Sequence, residues 1–127
     1  MQQRIDPKSF RQALGSFTTG VTIITAVDAE GNDVGMTANS FNSVSLEPPL
    51  ILWSLARTST NFEAMLQAKH FAVHVLAADQ DELAMTFAMK GADRFAGLTV
   101  SRGRFELPLL DGAVARFECR TAFQYGA

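Results

Sequence analysis

Cysteine is nearly absent from this chain of 127 residues: Cys119 stands alone. That excludes an intrachain disulfide and a thiolate-rich metal site, and it points to a reducing compartment, the cytoplasm. Neither sign of charge dominates, with 11 Lys and Arg against 13 Asp and Glu and a net charge of -2. No basic tract is dense enough to suggest nucleic acid or anionic lipid as a partner. Long apolar runs are missing as well. Residues 1–10 include Arg4, Asp6 and Lys8 and no apolar h-region, so neither a secretory signal nor a membrane span is expected. The chain contains no Walker loop, no GxGxxG and no serine in a nucleophile elbow, which leaves P-loop and hydrolase readings without support. Internal repeats, low-complexity tracts and linkers are lacking too. With 47% hydrophobic and 19% charged residues, the remaining expectation is one globular domain with a real core.

What the chain does contain reads mostly as short strands. Asp6 before Pro7, followed by Phe10, Leu14 and Phe17 at helical spacing, predicts a short helix over residues 7–15. Gly15 and Gly20 bracket a change to the β-branched run Val21-Thr22-Ile23-Ile24-Thr25, a strand buried on both faces. The polar turn Asp28-Ala29-Glu30-Gly31-Asn32-Asp33 joins it in an antiparallel hairpin to a second arm starting at Val34. Pro48 and Pro49 cannot donate to a ladder, so they mark a break before a strand over residues 50–55. Thr60 with Glu63, and Asp79 with Glu82, read as capping boxes that start helices near Asn61 and Asp79. Between them Phe71, Val73 and Val75 alternate with His70, Ala72 and His74 in a further strand. Residues 90–97 form a polar loop, and Ala115, Phe117, Cys119, Thr121, Phe123 and Tyr125 alternate with polar neighbours in a last strand. The sum is an antiparallel β domain with a few short helices, a barrel rather than an open sheet.

The segment GMTANSFNSVSLEPPLILWSLA over residues 35–56 is too polar at its start for a core strand. Its Thr, Asn and Ser side chains offer both donors and acceptors to a polar, flat ligand, or else they line a surface loop. Residues 57–60 gather Arg57, Ser59 and Thr60 at a helix start, where a phosphate would fit; capping by Thr60 and a solvated Arg57 is the competing reading. Arg94 beside Phe95 could clamp a charged planar ligand, or simply pack the loop. His70 and His74 would stand roughly 13 Å apart along a strand, too far to share a metal, and are read as structural or surface residues. Cys119, on the apolar face of the last strand, reads as a buried, inert thiol. Asp79, Asp81 and Glu82 crowd a helix start, where acidic residues are expected, and no carboxylate pair suits acid and base work.

A wider pattern then emerges. It comprises Phe10 and Arg11, the run Gly15-Ser16-Phe17-Thr18-Thr19-Gly20-Val21-Thr22-Ile23-Ile24-Thr25, and the block Gly35-Met36-Thr37-Ala38-Asn39-Ser40-Phe41 followed by Ser43-Val44-Ser45 and Pro48-Pro49-Leu50. Phe71-Ala72-Val73 and Asp93-Arg94-Phe95 complete it. In these residues the chain resembles the short-chain flavin reductases, the flavin-reductase-like group of FMN-binding split β-barrels. The resemblance implies a mainly β, antiparallel split barrel, homodimeric, which binds FMN or FAD and lets NAD(P)H reduce it, supplying reduced flavin to a partner monooxygenase. By position it implies Thr37, Ala38, Asn39 and Ser40 at the isoalloxazine, Ser54, Leu55 and Ala56 along the ring and ribityl chain, and Arg57, Ser59 and Thr60 at the phosphate. Arg94 and Phe95 would close over the flavin. No catalytic residue is assigned, because cofactors that exchange a hydride need position and electrostatics more than a protein acid or base.

Such relatives continue past the strand near Tyr125 into a Gly-Asp-His segment and the closing strands, with that histidine near the nicotinamide, whereas this sequence stops at Gly126-Ala127. The expectation is therefore one domain over residues 1–127 that lacks its C-terminal part and turns over poorly beside an extended form. Neither His70 nor His74 inherits the histidine's role. Two rivals stay open: a flavin-binding or flavin-carrying module without reductase activity, and an FMN split-barrel oxidase of the pyridoxamine-phosphate type, against which the TANSF, SVS and PPL blocks argue.

Overall fold

The β-branched run after Gly20 forms strand β1, Thr22–Val27, buried from residue 22 to 26 on both faces. It turns into β2, Asp33–Ala38, through a hairpin with partners Val27↔Asp33 to Thr22↔Ala38. Asp28 makes that turn: its Oδ1 accepts from the Glu30 N–H at 3.0 Å and the Asn32 N–H at 2.8 Å, while Gly31 takes φ +85°, which a side chain would resist. Those N–H groups, Asn32's first, hold the Asp28 carboxyl below its usual pKa. The computed structural model describes residues 21–38, 42–46, 49–89, 93–122 and 124. The helix expected over residues 7–15 lies outside them, as do Asn39, Ser40, Phe123 and Tyr125.

The remaining elements are β3 Asn42–Leu46, β4 Pro49–Leu52, helix α1 Phe62–Gln67, β5 His70–Val75, helix α2 Asp81–Ala88, β6 Val100–Arg102, a 3-10 turn Arg104–Glu106, β7 Pro108–Leu110 and β8 Ala115–Arg120. All described pairings are antiparallel: a four-stranded sheet in the order β2-β1-β5-β8, and the two-stranded ribbons β3-β4 and β6-β7. The fold is thus mainly β, as read. Both faces of the large sheet are covered, so β1 and β5 are buried along most of their length instead of alternating, with Thr22, Thr25 and His74 as buried polar residues. One face carries Ile24, Ala26, Val73, Val75 and Phe117 under Met65 of α1, with Ile51, Trp53 and Leu55 alongside. The other carries Ile23 under Phe87 of α2 and Leu110 of β7, and Ala72 under Leu107 and Leu109.

Four local expectations need correction. The strand read over residues 50–55 starts at Pro49 and stops at Leu52, because its only described partner is β3, whose ladder ends at Asn42↔Leu52. Pro49 is tolerated as the first residue of that strand. Neither capping box forms. The helices begin slightly later than read, at Phe62 and Asp81 after Asn61 and Gln80, and neither cap residue's side chain bonds its own helix. Asn61 spends its amide on Gly35 O, and Gln80 accepts from the Ala77 N–H and donates to Asp111 O. The β6-β7 hairpin was not foreseen; its 3-10 turn carries Phe105 and Glu106 at φ 58° and 60°, a left-handed geometry no composition rule would predict for these residues. Finally β8 ends at Arg120, short of the expected continuation. Within it the alternation holds, with Phe117 buried and Arg116, Glu118 and Arg120 exposed.

His74 lies wholly inside. The Leu110 N–H donates to Nε2 at 3.0 Å, so the ring proton sits on Nδ1 and is donated to Ile23 O at 3.1 Å. His70 is half-buried and stacks on Phe105, ring centroids 3.5 Å apart. Burial pushes the Cys119 thiol up to about 12, which keeps it protonated and unreactive at neutral pH. No helix among the described residues is long and apolar enough to cross a membrane.

Candidate functional site

Strand β2 forms one edge of the four-stranded sheet and divides its residues between two directions. Met36 and Ala38 pack into the core beneath α1, while Gly35 and Thr37 meet the side of α2. Thr37 donates its hydroxyl to Ala84 O at 2.6 Å, and Ala38 O accepts from the buried Thr22 hydroxyl at 2.7 Å. The Thr37 oxygen keeps acceptor capacity for another group, while the Ala38 side chain is committed to the core. Asn39 and Ser40, expected to continue this wall, lie outside the described residues.

The second block is the stretch from Ser54 to Asn61, which leaves β4 and curls into α1. Ser54, Ala56, Arg57 and Thr60 are exposed, and Leu55 and Ser59 half-buried. The loop is a chain of short-range bonds: the Ser59 N–H donates to Ala56 O, the Phe62 N–H to Ser59 O, and the Asn61 N–H to Ser59 Oγ. Arg57 holds its guanidinium 5.9 Å above the Phe62 ring, a cation–π contact that keeps the charge at the helix start. Hydroxyls and a guanidinium therefore stand together on an accessible surface, a donor set that suits an anion.

The third block, residues 93–95, folds back onto β2. Arg94 donates from Nη1 to Gly35 O at 2.7 Å, and from Nη2 and Nε to Met89 O at 3.1 and 3.4 Å. Met89 is the C-cap of α2, so the guanidinium also supplies a donor to a carbonyl at the negative end of the helix. Desolvation lowers the Arg94 pKa from its ordinary value, without threatening the charge of a guanidinium. Phe95 packs edge-on against Phe87, centroids 5.2 Å apart at 84°. Arg94 and Phe95, expected to close over a ligand, are thus first a staple between a loop, a helix end and an edge strand.

All three blocks meet at Gly35. Its carbonyl accepts from Arg94 and, at 3.1 Å, from Asn61 Nδ2, which covers the exposed edge of β2. Thr60, Asn61, Arg94 and Phe95 line an open groove with Gly35 and Asp33, about 380 Å³ in volume. Of the residues read from sequence, the groove brings together Thr60, Arg94 and Phe95; Thr37 and Ala38 lie on the adjoining strand, and Ser54, Leu55, Ala56, Arg57 and Ser59 on the adjoining loop. Gly35 and Asn61, which line the groove as well, were not among the candidates read from the sequence. A glycine heading the polar block was the available signal; nothing local marks Asn61.

The glycine is required by its neighbours. A Cβ on Gly35 would stand 2.7 Å from Phe87 Cε2 and 3.1 Å from Phe95 Cζ, closer than carbon atoms tolerate. Gly35→Ala should therefore lose about 1–3 kcal/mol of stability through overpacking, measured by chemical denaturation. An unchanged midpoint would mean that the two rings yield without cost.

Among the described residues no group of His, Cys, Asp and Glu is placed to hold a metal ion. Comparison with known proteins gives a consistent picture. The family model described as "Flavin reductase like domain" matches residues 14–126. The chain is 51% identical over 120 residues to the FMN reductase (NADH) SmoA of Agrobacterium fabrum, an alignment covering 94% of this chain and 68% of that protein. It is 45% identical over 114 residues to the reductase component of the flavin-dependent trigonelline monooxygenase of Acinetobacter baylyi, covering 90% of this chain but 37% of the other. Among solved structures, the Streptomyces globisporus NADH:FAD oxidoreductase SgcE6, in complex with NAD and FAD fragments, superposes with a TM-score of 0.78 at 37% identity, covering 99% of this chain and 78% of that one.

Proposed function

This chain belongs to the flavin reductase like domain family, and on that premise we propose that it is an NADH-dependent flavin reductase whose flavin lies along the junction of β2 with residues 54–60. The observation that carries the reading is the convergence on Gly35. A strand end with acceptor and donor groups, a hydroxyl and guanidinium loop, and the Arg94-Phe95 turn adjoin one open groove. That donor set fits a planar ligand with a phosphate tail. In this reading Thr37, Ala38, Asn39 and Ser40 flank the isoalloxazine, with Ser54, Leu55 and Ala56 beside the ring and ribityl chain. Arg57, Ser59 and Thr60 hold the phosphate, and Arg94 and Phe95 bound the far side of the groove. When bound, the flavin accepts a hydride from the nicotinamide. The work of the chain is to orient the two rings and to exclude water between them.

The same reading takes residues 1–127 as one domain, working as a homodimer in the cytoplasm and handing reduced flavin to a flavin-dependent monooxygenase. Relatives described as reductase components support that partner. FMN titration and NADH oxidation followed by absorbance test the proposal. Wild-type protein should bind FMN and oxidise NADH. Arg57→Ala should raise the FMN Kd about tenfold or more, the worth of a hydrogen bond to a charged group, about 1.5–3 kcal/mol. A folded wild type that binds no FMN overturns the site, and one that binds FMN without oxidising NADH makes the chain a flavin carrier instead.

A further inference from the structure

We propose that Asn61 is a positioning residue for flavin binding, one that sets the register between the phosphate-holding loop and the flavin-facing strand; the inference rests on the flavin site described above. Asn61 is half-buried and lines the groove; that reading gives it no contact with the cofactor, but its side chain and its backbone N–H both bond to site elements. Its Nδ2 donates to Gly35 O of β2 at 3.1 Å. Its backbone N–H donates to Ser59 Oγ at 3.1 Å, and its carbonyl accepts from the Met65 N–H at 2.9 Å, starting α1.

Ser59 supplies a second tie, its Oγ lying 3.9 Å from Met36 Sδ on the same strand. The loop is thus held against β2 at two successive residues, Gly35 and Met36, just ahead of Thr37 and Ala38. Helix capping would be the ordinary use of an Asn at this position, yet its side chain makes no cap bond. A side chain withdrawn from its local role and donated across to an edge strand serves the relative placement of the two segments.

Two variants separate this role from simple stability. Asn61→Asp keeps the shape but faces Gly35 O with a carboxylate oxygen in place of a donor, and Asn61→Leu removes the bond outright. Asn61→Ser, able to donate at shorter reach, serves as the partial rescue. Each is compared with wild type for FMN Kd, for the visible circular dichroism of bound FMN, and for KM against kcat in NADH oxidation, with urea unfolding as the check on the fold.

The expected result for Asp and Leu is a fivefold or greater rise in FMN Kd and an altered flavin dichroism in protein that still unfolds cooperatively, with KM for FMN moving more than kcat. Ser should recover part of the affinity. Wild-type affinity and dichroism in both Asp and Leu variants would overturn the positioning role while leaving the flavin site intact. A wild type that fails to bind FMN would overturn both. Should Leu fail to fold, the isosteric Asp variant decides by the same readouts.

Discussion

Phe87→Ala is expected to lower stability by about 3–5 kcal/mol, the range for truncating a fully buried aromatic. Phe87 is the only buried residue of α2, has no exposure at all, and packs with Ile23, Leu76 and Leu110. Removing it opens a cavity between that helix and the sheet and leaves the helix held by the half-buried Leu83 and Ala84 and the Thr37 bond. The effect should also reach the groove. The Phe87 ring is the wall against which Gly35 is pressed and the edge-to-face partner of Phe95, so a methyl in its place frees the turn that holds Arg94. Urea unfolding with and without FMN measures both. Because a domain of this size has about 5–15 kcal/mol in total, a loss below about 1 kcal/mol would refute this account of the second core cluster. Phe87→Leu, which refills part of the cavity, should cost markedly less.

Acid should unfold this protein through His74. Burial, with Arg116 adding to it and the Ile23 carbonyl opposing, brings its pKa from the ordinary 6.5 down to about 4. The neutral ring is the one the fold accepts: Nδ1–H donates to Ile23 O, and unprotonated Nε2 accepts from the Leu110 N–H. A proton added at Nε2 would face that N–H with no acceptor between them. The sign follows from counting protons. Between pH 6.5 and about 4 the unfolded chain carries a proton on this histidine and the native chain does not, so stability is complete above 6.5 and falls as the pH drops through that window. The loss should reach about 2 kcal/mol by pH 5 and level off near 3 kcal/mol below pH 4. Urea midpoints from pH 7.5 to 4.5 measure it. His74→Asn, less stable at neutral pH, should show a flatter profile between pH 6.5 and 5; a slope equal to wild type would assign the acid sensitivity to carboxylates instead.

Much of the strand pattern was legible because it depends on short-range chemistry. The run Val21-Thr22-Ile23-Ile24-Thr25 favours a strand because its branched side chains are stiff at χ1 and pack well on a pleated surface, and an Asp-to-Asp turn centred on Gly31 accounts for itself through Asp28. The alternation around Phe117 held for the same reason, since period two follows from backbone pleating alone. What failed were the boundaries that distant groups decide. Thr60 and Asp79 are good helix caps in isolation, but the helices start later because Asn61 and Gln80 are bonded elsewhere, to Gly35 O and Asp111 O. The β6-β7 hairpin was invisible because its turn holds Phe105 and Glu106 at positive φ, and part of what offsets that strain is stacking on His70, a residue far away in the chain.

The candidate site divides along the same line. Sequence by itself offered residue types suited to a polar, flat ligand with a phosphate, because hydroxyl, amide and guanidinium groups recognise such groups whatever the fold; that the ligand is a flavin came from the family resemblance. It also read Cys119 as an inert thiol, since a lone thiol on an apolar strand face is buried before it is reactive. Only tertiary structure decided that residues 35–38, 54–61 and 93–95 meet, and that they meet at the carbonyl of a glycine. The reason is that a backbone oxygen carries no identity in the sequence. Gly35 O becomes a junction only when an edge strand leaves it unpaired and two side chains from elsewhere, Asn61 and Arg94, are brought within hydrogen-bonding reach.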